Sequence, residues 1–69
     1  MKFIPILPFE YDDKLNKINL EIIYLNIDQI RFISPIGETG NTIITLLNND
    51  EILSIEPLYK IFNKLRNAK

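Results

Sequence analysis

Between Leu20 and Leu47 the apolar residues of this chain do not alternate cleanly with polar ones. Ile22 and Ile23 are adjacent, as are Ile43 and Ile44, and Leu46 and Leu47. Neighbouring residues on a strand point to opposite sides of a sheet. The central strands are therefore apolar on both faces. A chain of 69 residues has at most one layer with which to cover one of those faces.

The pattern predicts these elements in order. Lys2 to Leu7 reads as an extended arm that Pro5 and Pro8 keep at an edge, with Phe3 and Phe9 as its anchors. Residues 10–17 are polar and acidic, a loop. Ile18 to Leu25 reads as the first strand, with Ile18, Leu20, Ile22 and Tyr24 on one face. Asn26, Asp28 and Gln29 turn the chain into a second strand, Ile30 to Ser34, which Pro35 ends. A loop with two glycines covers residues 36–41. Thr42 to Leu47 is a third strand, and Asn48-Asn49-Asp50 a hairpin turn, because Asn and Asp tolerate the left-handed conformation. Glu51 to Ile55 returns as the fourth strand. Pro57 suits the first helical position. Leu58, Ile61, Phe62 and Leu65 then recur at helical spacing, with Lys60, Lys64 and Arg66 pointing away.

The expected fold class is α+β. A small antiparallel β-meander of four strands plus an N-terminal extended arm is packed by one C-terminal helix. One domain spans residues 1–69, with arm and loop at 1–17, meander at 18–55 and helix at 57–67. The helix stripe covers one sheet face. Ile23, Leu25, Ile33, Ile43 and Leu47 fall on the other. Either the Phe3–Phe9 arm folds back over them, or another subunit or protein does. The expectation adopted is a partner interface made of Phe3, Phe9, Ile23, Leu25, Ile33, Ile43 and Leu47.

Composition sharpens that expectation. A domain this small is marginally stable and usually adds a disulfide, a metal or an oligomer. Cys and His are both absent, which removes disulfides, the usual zinc sites and the commonest catalytic bases and nucleophiles. Ser34 and Ser54 have no evident neighbouring base. Glu10, Asp12 and Asp13 form an acidic cluster that matches no calcium loop. The loop at 36–41 lacks a Lys and opens a strand, so it is no phosphate cradle. No catalytic residue, metal ligand or cofactor site is expected, and the chain is read as no enzyme. Association is what remains. Fourteen Ile and eight Asn against no Val suggest an AT-rich genome, bacterial or phage. No run approaches the ~20 apolar residues of a membrane span, so the expected location is the cytoplasm or a phage particle.

The net charge of −1 hides an asymmetry. Residues 1–56 carry nine acids and four bases, hence −5, and residues 57–69 carry four bases and no acid, hence +4. Lys60, Lys64 and Arg66 could therefore contact nucleic acid or an acidic partner. Overall acidity makes nucleic acid the second choice, after self-association or a larger protein partner.

The runs Ile23-Tyr24-Leu25-Asn26-Ile27-Asp28-Gln29-Ile30 and Thr42-Ile43-Ile44-Thr45-Leu46-Leu47-Asn48-Asn49 carry a family resemblance. They resemble the small flagellar FlbD and swarming-motility SwrD proteins over about residues 18–65. That pattern is an apolar strand ending in Leu-Asn, an acid and an Ile, then a Thr-x-Ile-x-Leu strand, a turn, a last strand and a short helix. The chain departs from it with Asn48-Asn49-Asp50 in place of an Asn-Gly turn, an additional arm before Ile18 and a longer loop at 35–41. The resemblance implies a non-enzymatic accessory role at a protein assembly, in the flagellum for the named proteins; a protein of this general shape could equally come from a phage.

Overall fold

The N-terminal arm is one bent strand that serves two sheets. In the computed structural model, which describes residues 2–68, its first half is β1 (Phe3–Ile6) and its second half is β2 (Pro8–Tyr11). β1 pairs antiparallel with β4 (Ile23–Asn26). β2 lies inside a five-stranded antiparallel sheet with β3 (Lys17–Asn19), β5 (Ile30–Pro35), β6 (Thr42–Leu46) and β7 (Glu51–Ser54), in the order β3-β2-β7-β6-β5. The helix α1 (Leu58–Asn67) closes the chain. The fold is α+β, with antiparallel strands packed against one C-terminal helix.

Two proline positions explain the bend. The Ile27 amide donates to the Lys2 carbonyl at 3.0 Å, which turns the polar groups of Lys2 toward the β4 side. Alternation then turns those of Ile4 and Ile6 the same way and those of Phe3 and Pro5 away. Pro5 thus lacks its amide where no rung is needed. Leu7 and Pro8 carry the corner. The Leu7 carbonyl accepts from Ile55 at 3.0 Å and the Pro8 carbonyl from Leu20 at 2.9 Å. The arm therefore folds back on its own chain as strands, not as a loose cover.

The expected strand at residues 18–25 is two strands in two sheets. β3 pairs with β2 through Phe9↔Asn19, Glu10↔Ile18 and Tyr11↔Lys17. The ladder stops beyond Leu20, and β4 starts at Ile23 beside β1. Asn26 then caps a 3-10 turn at Ile27–Gln29, its side chain accepting from the Asp28 amide at 3.0 Å. That turn swings the chain across to β5. From there β5, β6 and β7 form the expected meander, with a register shift between Ile30 and Phe32.

The core lies between the five-stranded sheet and the β1–β4 ribbon. Ile4, Ile6, Leu25, Ile44 and Ile61 are buried there, with Ile23, Ile33, Ile52 and Leu65 packed around them. The helix packs against β1 and β5. Its inward stripe is rotated from expectation: Leu58, Ile61, Leu65 and Ala68 turn in, while Phe62 is exposed. No helix among the described residues is long and apolar enough to cross a membrane.

Candidate interaction surface

Each strand of the sheet has a core side and an outer side, and the registers fix which residue lies where. Ile33, Ile44 and Ile52 line up across β5, β6 and β7 on the core side. One residue along, Ser34, Ile43, Leu53, Phe9 and Asn19 line up across all five strands on the outer side. Phe9 is only 3% exposed. Tyr11 meets it edge-on at 5.4 Å between ring centroids, and the Lys17 ammonium sits 4.5 Å from the Phe9 centroid while donating to Asn41 Oδ1 at 3.3 Å. On the second face Ile43 is half-buried, flanked in the same sheet by Leu53 and then Phe9, with no layer on top among the described residues.

This corrects most of the expected partner interface. Phe9 and Leu25 are buried, Ile23 and Ile33 pack against the core, and Ile43 is half-buried beside Leu53. Only Phe3 and Leu47 are exposed. Phe3 sits on the outer side of the β1–β4 ribbon and Leu47 at the tip of the β6–β7 hairpin, so the seven residues form no single surface. The parity of β4 was reversed in the expectation: Ile23 and Leu25 face the core because β4 pairs with β1, not with β5.

The surface that is open is the one expected to be covered. Ile18, Leu20, Ile22 and Tyr24 are 41%, 44%, 48% and 68% exposed. They occupy alternate positions in the stretch Lys17-Ile18-Asn19-Leu20-Glu21-Ile22-Ile23-Tyr24. The helix packs on β5, at the opposite end of the sheet from β3. β3 is also an edge strand. Leu20 donates to Pro8 across the β2 ladder, so Ile18 and Leu20 turn their backbone groups toward β2, and Lys17 and Asn19 turn theirs outward. Among the described residues no strand pairs with that edge. Polar–apolar alternation marks residues 17–22 in the sequence and ends at the adjacent Ile22 and Ile23. The missing signal was that its strand would lie outside the reach of the helix.

Of the three helix bases expected to face a partner, Lys64 turns inward. Its ammonium pairs with the Glu56 carboxylate and donates to the Pro5 carbonyl at 2.7 Å. Glu56 is itself held: its carbonyl accepts from the Thr42 hydroxyl at 2.8 Å and its amide donates to Ser54 Oγ at 3.2 Å. Thr42 and Ser54 are fully buried. Lys60 and Arg66 stay exposed.

Elsewhere the polar groups close loops. Asp12 Oδ1 accepts from the amides of Lys14 and Asn16 at 2.9 and 2.8 Å. The Asn16 amide, above all, holds the Asp12 carboxyl below the ordinary aspartate range. In the 36–41 loop, the amides of Ile36, Thr39 and Asn41 are spent on Asn41, Ile36 and Thr39 respectively. Among the described residues no group of three or more acids gathers to hold a metal ion.

Compared with known proteins, the chain matches no family model, no curated protein and no solved structure.

Proposed function

We propose that this chain is a non-enzymatic protein-interaction module, working as an oligomer or as a small component of a larger assembly. The observation that carries the reading is the pair Ile18 and Leu20, open on the unpaired β3 edge, with Ile22 and Tyr24 exposed just beyond it along the chain. An apolar row on a bare edge is an aggregation hazard that proteins normally blunt or cover. A strand edge with alternate apolar side chains is also a standard docking element, in which main-chain bonds give affinity and side chains give specificity. The likeness of about residues 18–65 to the FlbD and SwrD proteins supports an accessory role at an assembly, flagellar for those proteins, and a phage assembly is the alternative setting.

A photoreactive residue placed at Ile22 and expressed in the native cell tests the reading. Cross-linked adducts to a protein chain are expected from position 22 and not from a control at Glu38 in the exposed 36–41 loop. Equal absence of adducts at both positions would remove the interaction function.

A further inference from the structure

The open β3 edge can pair with a copy of itself about several two-fold axes, and in one of those registers its charges are complementary as well. Its outward backbone groups belong to Lys17 and Asn19, and the same alternation carried one residue past Leu20 adds Glu21. When two copies of an edge strand pair antiparallel about a two-fold axis, residues whose sum of numbers is constant face each other. An axis through Asn19 sets Lys17 against Glu21 of the second copy, and Ile18 against Leu20. The outward groups are then matched on both strands, because Asn19 meets Asn19 as a hydrogen-bonded pair and the Lys17–Glu21 pairs follow two residues on. Neighbouring axes lack the charge match. An axis through Ile18 also matches outward groups, Lys17 with Asn19, but sets Glu21 against Leu15 and makes no ion pair. An axis through Leu20 sets Lys17 against Ile23 and Asn19 against Glu21.

We infer that a second copy of this chain covers the β3 edge, as an antiparallel two-fold pair centred on Asn19. This rests on the interaction reading and names its partner. The pairing places two Ile18–Leu20 contacts on one face, where both side chains are now more than two-fifths exposed. On the other face it sets Lys17 directly across from Glu21, and each ion pair draws a Lys17 ammonium off Asn41 Oδ1 and the Phe9 ring. Opposite charges directly across a ladder are favourable and like charges are not. The joined sheets form a continuous ten-stranded sheet with β3 and its copy at the centre. Few residues take part, so the contact belongs to the small class of interfaces and its dimer to the micromolar range.

Three variants test it by sedimentation equilibrium of the full chain from 1 to 500 μM, roughly spanning that range. The parent chain should dimerise. Asn19→Pro should weaken the dimer at least ~10-fold, because it deletes an outward donor that no bond of the monomer uses. Glu21→Lys should do the same by setting Lys against Lys17 of the copy. The double variant Lys17→Glu/Glu21→Lys should dimerise again, since the swap restores opposite charges in this register alone. Circular dichroism of each variant confirms the folded monomer, and only folded variants count. A parent chain that stays monomeric, or an Asn19→Pro variant that dimerises as well as the parent, overturns the two-fold pair. If adducts at position 22 then go to a different protein, the interaction function stands and the second copy as partner falls.

Discussion

Leu15 holds φ at 62°, a left-handed conformation that a branched side chain rarely adopts. The loop imposes it: Asp12 collects the amides of Lys14 and Asn16, and the Leu15 amide returns to the Asp12 carbonyl at 2.9 Å. The left-handed form costs roughly 1–2 kcal/mol for a residue with a Cβ. Leu15 is 79% exposed, so its side chain gives back little packing. Glycine removes the strain but adds about 0.5–1 kcal/mol of chain entropy. The balance favours Leu15→Gly by about 0.5–1 kcal/mol, a rise in Tm of a few degrees at this size, whereas Leu15→Val should lower it. Thermal unfolding followed by circular dichroism checks both signs, and a fall in Tm for glycine would mean that the loop is not strained. Asp12 adds a pH signature. Its folded carboxyl lies below its unfolded value, so its contribution is present above the ordinary aspartate range and is lost as pH falls through the folded value. Asp12→Ala should therefore flatten the acid limb of the stability curve, with parent and variant converging at the lowest pH. Parallel limbs would sink that assignment.

At the scale of elements, the helix is attached by a polar latch as much as by its apolar stripe. Lys64, Glu56, Thr42, Ser54 and the Pro5 carbonyl join α1, the turn after β7, β6 and β1. Lys64 and Glu56 side chains are 23% and 12% exposed, dry enough for the charges to be felt. Lys64→Met leaves a largely buried carboxylate and a strand carbonyl without their donor, and should cost about 1–3 kcal/mol in urea unfolding. Adding Glu56→Gln should recover part of that loss, because the stranded charge goes with it. If the two single losses simply add, the latch is not a coupled pair. This latch is also where the sequence misled. Lys64 looks like a solvated helix base, since nothing local reveals a carbonyl fifty-nine residues earlier. The meander β5–β6–β7, the Asn-rich hairpin and the helix were legible because they are set by local pattern: Asn49 does take the left-handed position, at φ 72°. The break between Leu20 and Ile23 was not. It follows from a choice of partner strand, and a run of alternating residues reads the same whether one sheet or two receive it.

For the whole molecule, a single segment serves both faces of the strands. β2 puts Phe9 into the outer row, while β1, just before it in the chain, puts Ile4 and Ile6 into the core, both essentially fully buried. One bent strand therefore contributes to both faces, and the fold depends on its first half more than the label of an arm would imply. Burying an Ile side chain contributes roughly 1.5–3 kcal/mol, so losing Ile4 and Ile6 removes about 3–6 kcal/mol. A single core of this size rarely supplies more than about 3–5 kcal/mol in total. The loss also strips β4 of its pairing partner and takes the Pro5 carbonyl from Lys64. A chain starting at Leu7 should then lack a cooperative thermal transition, although every residue of the meander is present. Phe3→Ser is the control: that side chain is half exposed at a cavity shared with the end of α1, so its loss should cost only about 1 kcal/mol. A shortened chain that still melts cooperatively within a few degrees of the parent would show that β2 to α1 is a domain by itself, and that β1 is an attachment rather than part of the core.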